Sequence, residues 1–277
     1  MAEKIRVGRI SYLNVLPIYY PLESEIMGHN FEFFYGPPAH LNKMMSEGLL
    51  DIASTSSVEY LRHSEQYHLL PDLAIGSCGP VQSVILLSRC PVEELSGKKI
   101  LASAQSHTSA VLLRLLLSKY IPVNPFYETG NATAVLNSGE RPNAILAIGD
   151  EALNLRHHED YPYLLDLGEA WREWTTLPFI FGVWIIQKES AARKPDEMRE
   201  AVKKLIEAKK WGQRNILKMA ELTAENSLMD AEETNSYYKG LVYDLEDKEI
   251  MGLKTFGNHL VDVGELSQMP KLDFFKI

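Results

Sequence analysis

The chain has 277 residues, of which 45% are hydrophobic and 23% charged, and a formal net charge of −9. That length and composition suit a soluble globular protein of two domains with a substantial core. The acidic balance argues against nucleic acid or an anionic membrane surface as the main partner, so an anionic ligand has to be held by local dipoles. Met1-Ala2-Glu3-Lys4 leads into a strand pattern without an apolar signal core. No apolar run is long enough to span a bilayer, and Val111–Leu117 is interrupted by Arg114. A cytoplasmic protein is the expectation. Cys78 and Cys90 are the two cysteines, too few for a disulfide framework. Cys78 lies in a Gly-Ser-Cys-Gly-Pro turn with no obvious histidine partner or metal-ligand spacing, which makes a bystander thiol the plainer reading.

Ile5–Ile10 alternates as an opening strand, and Val15, Leu16, Ile18, Tyr19 and Leu22 follow with helical spacing. Between them lies Ser11-Tyr12-Leu13-Asn14-Val15-Leu16-Pro17, a strand-to-helix turn of the kind that puts side chains at the carboxyl edge of an α/β sheet. Asn14 stands about where an N-cap residue would, and Pro17 falls in the first helical turn, where a missing N–H costs little. Capping is what asparagine most often does at such a position; the alternative is a side chain aimed at a ligand.

Phe31–Tyr35 is an aromatic strand ended by Gly36-Pro37-Pro38, and Ala39–Glu47 a helix stopped by Gly48. Leu49–Ala53 reads as a short buried strand running into Ser54-Thr55-Ser56-Ser57 and a helix over Val58–Arg62. Such a hydroxyl-rich helix start can cap itself or cradle a carboxylate. Strands are predicted at Leu73–Gly76 and Val81–Ser88, the second carrying Ser83 within an apolar run, where it needs a backbone or ligand partner. After the polar connection 90–99 a fresh α/β pattern begins. Lys99–Ala102 is its strand, Ala104-Gln105-Ser106-His107-Thr108-Ser109 its turn and Ala110–Tyr120 its apolar helix. Ser106, Thr108 and Ser109 could join the backbone amides in holding one anionic group.

Asn131–Leu136 suggests a helix, and Ala144–Asp150 a buried strand ending at an acid that is either an N-cap or a site carboxylate. Glu151–Glu159 continues as a helix, and His157-His158 is its solvated end, since adjacent residues point to different helix faces. Phe179–Gln187 is a long apolar strand, and Pro195–Met219 and Ala231–Tyr243 are amphipathic helices. No repeat, phosphate loop, dinucleotide fingerprint, His-Glu-x-x-His or Gly-x-Ser-x-Gly occurs.

This order predicts an α/β, two-lobed, hinged architecture. Lobe 1 is 1–88 plus 179–277 and lobe 2, inserted, is 89–178, with a cleft between them. The hydroxyl-rich helix starts at 54–57 and 106–109 then come from different lobes, and two anion cradles across a cleft suit a small dicarboxylate.

Taken in order, Ser11–Pro17, Leu50–Tyr60, Gly79–Ser83, Ser106–Ala110, Ile148–Leu153 and Glu173–Trp184 resemble the chorismate dehydratases of the futalosine route to menaquinone. The resemblance covers roughly residues 5–187. It implies a periplasmic-binding-protein-like (type II) fold without a secretion signal, and a carbon–oxygen lyase that converts chorismate into 3-[(1-carboxyvinyl)oxy]benzoate with no metal or organic cofactor. It carries the family's active-site asparagine to Asn14, its Gly-Pro-Val-x-Ser serine to Ser83 and its anion turn to Ser106, Thr108 and Ser109. The Ile-Gly-Asp-x-Ala-Leu segment brings Asp150. Ala53–Ser57 matches more loosely, because a more apolar turn with one hydroxyl is expected there, and Ser56 is the residue chosen. Asn14 is too weakly basic to take a proton. It is expected to position the substrate, whose own enolpyruvyl carboxylate takes the proton, with Asp150 as the fallback base. Two rivals share the fold: a 1,4-dihydroxy-6-naphthoate synthase, which is associated with a second-lobe histidine that His157 and His158 come too late to supply, and a non-catalytic cytosolic solute-binding protein.

Overall fold

A computed structural model describes residues 3–103, 107–225 and 228–277. In chain order the elements are β1 (Ile5–Arg9), a 3-10 turn (Leu13–Val15), α1 (Leu16–Glu23), β2 (Phe31–Tyr35), α2 (Pro38–Ser46), β3 (Ile52–Ser56), α3 (Ser57–Arg62) and β4 (Tyr67–Ser77). Next come β5 (Val84–Ser88), β6 (Lys99–Ser103), α4 (His107–Lys119), β7 (Phe126–Gly130), α5 (Ala132–Asn137), β8 (Ala144–Ile148), α6 (Gly149–Leu155), β9 (Tyr163–Asp166) and α7 (Leu167–Thr175). The chain ends with β10 (Phe179–Gln187), α8 (Lys188–Arg193), α9 (Pro195–Arg214), α10 (Ile216–Ala224), α11 (Ala231–Gly240), β11 (Leu241–Val242) and α12 (Asp247–Asp262).

Two compact units result, Met1–Gly76 with Ile180–Ile277, and Ser77–Phe179. The first holds a six-stranded sheet in the order β11-β4-β10-β3-β1-β2, the second a five-stranded sheet in the order β7-β6-β8-β5-β9. The inserted unit therefore starts at Ser77 and not at 89. The strand over 81–88, assigned with 179–187 to lobe 1, lies in the other sheet: β10 neighbours β4 and β3, and β5 sits between β8 and β9. The reason lies in β5: Val84–Ser88 is buried throughout, and its apolar run is covered by pairing with Ala144–Ile148 on one side and Tyr163–Asp166 on the other.

Within the first unit, β1, β2 and β3 run parallel, so their carboxyl ends share one edge, and β10 runs antiparallel to β3 with Gly182 opposite Ser56. Trp184 and Tyr19 are fully buried behind that edge, and the indole Nε1–H donates to the Tyr19 hydroxyl at 3.0 Å. Helix α9 packs on α1 at Gly212, where an added Cβ would fall 1.9 Å from the Pro17 carbonyl oxygen. Lys209, on the same helix, is 1% exposed. Its ammonium donates to Asp72 O, Asp72 Oδ1 and Asp244 Oδ1 at 2.8, 2.6 and 2.6 Å, which satisfies all of its donors. In the second unit Ile85, Leu87, Leu101, Ile145 and Ala147 alternate off their strands into one core with Ala132, Leu136, Ala152 and Tyr161. No helix among the described residues is long and apolar enough to cross a membrane.

Candidate functional site

At the carboxyl edge of the six-stranded sheet, β1 passes through Ile10–Tyr12 into the 3-10 turn that carries Asn14. Asn14 does not cap α1. Val15 holds the cap position without a side-chain bond, and Pro17 sits in the first turn as its fixed φ favours. The Asn14 side-chain oxygen is instead buried with no hydrogen-bond partner among the described residues. An unmet buried acceptor costs about 1–3 kcal/mol, which makes this oxygen a ready place for a ligand's donor.

Ser56, at the end of β3 on the same edge, does cap. Its hydroxyl oxygen accepts from Glu59 N–H at 3.2 Å, opening α3. Accepting leaves the hydroxyl hydrogen available in principle for donation, so capping and ligand binding are chemically compatible at this residue. Next to it the buried Thr55 hydroxyl donates to Asn42 Oδ1 at 2.8 Å. Arg9, at the end of β1, is engaged with Glu23 at 2.9 Å and lies against the Tyr19 and Tyr35 rings. Tyr35 also donates to Glu23, at 3.0 Å. Burial pushes the Tyr19 hydroxyl up to about 12, partly offset by its bond from Trp184, so it stays a neutral phenol that anchors α1 behind the turn.

In the five-stranded unit, β6 and β8 are parallel and β5 is antiparallel to β8, with Val84 opposite Ile148. This register brings the start of β5, the end of β8 and the end of β6 to one edge. Ser83 is buried there, and its carbonyl accepts from Gly149 N–H at 2.7 Å. Gly149 has a φ of +57°, a conformation open to glycine at no steric cost, and it lets the chain turn sharply from β8 into α6. Asp150 follows in the first turn of α6, half-buried. The cap position belongs to Ile148, so the capping reading of Asp150 is not what is found. Thr108 and Ser109 are buried in the first turn of α4, whereas Ser106 lies outside the described residues. The edge thus gathers Ser83, Thr108, Ser109 and Asp150, as the other unit's edge gathers Asn14 and Ser56.

Sequence reasoning missed the group that organises this second edge. Asp166, 5% exposed at the end of β9, accepts from Val81 N–H at 3.0 Å and Gln82 N–H at 2.6 Å. It also accepts from Gly168 and Glu169 N–H at 2.9 and 3.1 Å as the N-cap of α7. Burial raises its pKa, against the lowering effect of those amides. Gly168 permits the approach, because an added Cβ would meet Ser77 Oγ at 2.4 Å and Gly79 O at 2.7 Å. Arg172, further along α7, donates to the Cys78 carbonyl. The signal was present in the sequence: Asp166-Leu167-Gly168-Glu169 has the spacing of a helix N-terminus, an acid three residues before a glutamate.

Cys78 is exposed, and Cys90 accepts from Lys98 Nζ at 3.1 Å. His157 and His158 lie just beyond α6, with His158 3.9 Å from Asp160. Among the described residues no group of three or more His, Cys, Asp or Glu side chains is arranged to hold a metal ion.

Comparison with known proteins identifies first a fold and then a family. A Candida albicans protein with the generic periplasmic binding protein structural fold matches at a TM-score of 0.71 and 12% identity, covering 100% of this chain and 98% of that one. The chain has a periplasmic-binding-protein-type fold. The model of a menaquinone biosynthesis family matches residues 5–261, and the chain belongs to that family. A chorismate dehydratase from Thermus thermophilus is 29% identical over 269 residues, 92% of this chain and 94% of its relative. A second, from Campylobacter jejuni, is 28% identical over 255 residues, 90% of this chain and 94% of its relative.

Proposed function

We propose that this protein is a chorismate dehydratase, a cytoplasmic hydro-lyase that removes water from chorismate to give 3-[(1-carboxyvinyl)oxy]benzoate. The observation that carries the reading is the Asn14 oxygen: a buried, unpartnered acceptor in the strand-to-helix turn where the resemblance puts the family's active-site asparagine. The near full-length similarity to two chorismate dehydratases supports it. In the reaction the ring hydroxyl leaves from one carbon and the proton from the neighbouring, ether-bearing carbon. The electron pair of the broken C–H bond completes the aromatic ring. Aromatisation makes the step strongly downhill, so orientation and proton management are what the protein must supply.

Each residue has a role suited to its chemistry. Asn14 offers an acceptor to the leaving ring hydroxyl and an amide donor alongside it. Ser106, Thr108 and Ser109, with the amides at the start of α4, hold one carboxylate, and Ser56 and Ser83 donate hydroxyls to the substrate. The substrate's enolpyruvyl carboxylate takes the proton, and Asp150 is the alternative base.

The test is to incubate purified protein with chorismate alone and follow the product by chromatography and mass. A benzoate-type product lighter by one water is expected. Chorismate that persists although bound would replace this reading with a binding protein. Asn14→Ala is expected to lower kcat/KM by about a hundredfold or more, as for loss of a group that stabilises developing charge. Because the change deletes an unmet buried acceptor, folding stability should stay within about 1 kcal/mol of wild type. A variant that keeps its kcat/KM while Asp150→Asn abolishes turnover would reverse the two roles.

A further inference from the structure

We propose that Asp166 is a positioning residue for the substrate contact made by Ser83, holding the Val81–Gln82 turn in the one conformation that presents that hydroxyl. The proposal rests on the reading of the chain as a chorismate dehydratase with Ser83 in its site. Three observations carry it. The first is backbone strain: Gln82 has a φ of +60°, in the left-handed region that residues with a side chain rarely enter. Such a conformation persists only when its surroundings enforce it. The second is the enforcing group. Asp166 Oδ2 accepts from Gln82 N–H at 2.6 Å, while Oδ1 accepts from Val81, Gly168 and Glu169 at 3.0, 2.9 and 3.1 Å. The third is continuity with the site. Ser83 donates to Val81 O through its N–H at 2.7 Å and its hydroxyl at 3.4 Å, and Ser83 O receives Gly149 N–H at 2.7 Å, so the clamped turn sets the place of that hydroxyl and is bonded directly to the segment that bears Asp150.

The division of labour between the two carboxylate oxygens supplies the test. In Asp166→Asn the side-chain oxygen can keep the three bonds of Oδ1, including the α7 cap, while the new NH2 faces Gln82 N–H as donor against donor. The variant should therefore fold and lose the grip on Gln82 alone. Amide hydrogen exchange reads that grip directly: the Gln82 amide should be protected in wild type and unprotected in the variant, with Glu169 protected in both. With chorismate as substrate, KM should rise by about tenfold, the effect expected for losing one charged hydrogen bond, with a smaller change in kcat. A glycine accepts positive φ without strain, so Gln82→Gly in the Asp166→Asn background should recover most of the lost KM. In a Ser83→Ala background Asp166→Asn should add little, because the contact it positions is already gone.

An unchanged Gln82 amide, or a raised KM that Gln82→Gly does not rescue and Ser83→Ala does not absorb, would overturn the proposal. If wild-type protein leaves chorismate intact, the functional reading fails and the positioning role fails with it. If wild type turns chorismate over and Asp166→Asn behaves identically, the positioning role alone is wrong.

Discussion

Asp51, just before β3 in the six-stranded unit, and Asp166, at the end of β9 in the five-stranded unit, are both buried carboxylates, and they are held by different kinds of partner. Asp51 accepts from the Arg6 guanidinium at 2.8 and 3.2 Å, from Arg6 N–H at 2.9 Å and from the Ser190 hydroxyl at 2.7 Å. Arg193 and Lys194 each lie 3.7 Å away. Burial alone would raise its pKa, but the Arg6 and Ser190 bonds prevail and bring it down to about 2. Asp166 has backbone amides as its donor partners, and there burial prevails and the pKa is raised. At Asp51 the bonds from Arg6 and Ser190 outweigh the desolvation of the carboxylate, and at Asp166 the four amide bonds do not. The first acid therefore cements strands and helix α8 together far from the Asn14 turn, while the second shapes a turn beside the candidate site.

The largest effect that sharpens this contrast is expected at Asp51. Asp51→Asn leaves Arg6 without its buried counter-charge and the 7%-exposed Lys194 with Glu3 as its remaining partner, and should cost about 3 kcal/mol in a denaturant titration. The kcat/KM of the folded variant should stay near wild type. The pH dependence separates the two acids by sign. A folded-state pKa of about 2, against the usual 3.8, means that the contribution of Asp51 is complete above pH 3.8 and is lost as pH falls through 2. That loss amounts to about 2 kcal/mol and should be absent in Asp51→Asn. Asp166, with its pKa raised, contributes most below the usual carboxylate value and loses that contribution as pH rises through its folded value. If wild type and Asp51→Asn lose stability in parallel below pH 4, the assignment of the acid limb to Asp51 is wrong.

A smaller effect is expected at Gly168, which tests whether the clamp on the 77–83 segment depends on close approach as well as on the carboxylate. A Cβ there meets Gly79 O at 2.7 Å, a backbone atom that cannot swing aside. Gly168→Ala should cost about 1–3 kcal/mol and raise the KM for chorismate together with the loss of stability. The same substitution at Gly48, which has nothing within 4 Å but a φ of +69°, is strained only by its backbone and should leave KM alone. Equal KM changes in the two variants would separate the clamp from the site.

The particular elements show what the sequence could and could not convey. Phe31–Tyr35 and Phe179–Gln187 have the bounds expected of them because alternating aromatics and a long apolar run admit few other structures. The turns at Asn14 and Asp150 were also recognisable, since strand-to-helix junctions show as a switch of period, whereas Ser83, expected inside a strand over 81–88, lies in the turn just before β5. Unread were β7, whose exposed Phe126 and Tyr127 give no buried face, and β9 with α7, where the strand is four residues long and half exposed. The boundary at Ser77 was hidden for a related reason. β4 and β5 are both apolar, and only pairing partners distant in sequence decide which sheet each one joins. Local pattern also misjudged two caps. Asn14 and Asp150 both stand where capping is statistically favoured, yet Val15 and Ile148 hold the cap positions, because α1 begins later and α6 earlier than polarity suggested.

The smallest effect separates two hydroxyl roles at Ser56, a candidate site residue that caps a helix as Asp166 does. Ser56→Ala removes the bond to Glu59 N–H and should cost about 1 kcal/mol of stability. Aspartate caps a helix as well as serine, so Ser56→Asp should keep nearly all of that stability. If Ser56 also donates to a substrate carboxylate, the added negative charge makes binding worse than the alanine does, and KM should be highest in Ser56→Asp despite its intact fold. A KM that instead follows stability, raised in Ser56→Ala and normal in Ser56→Asp, would reduce Ser56 to a cap and remove it from the substrate site. The comparison with Asp166 then becomes direct. A carboxylate cap is tolerated at the start of α7 because its four partners are amides, and it fails at the start of α3 only if an anion must share the same space.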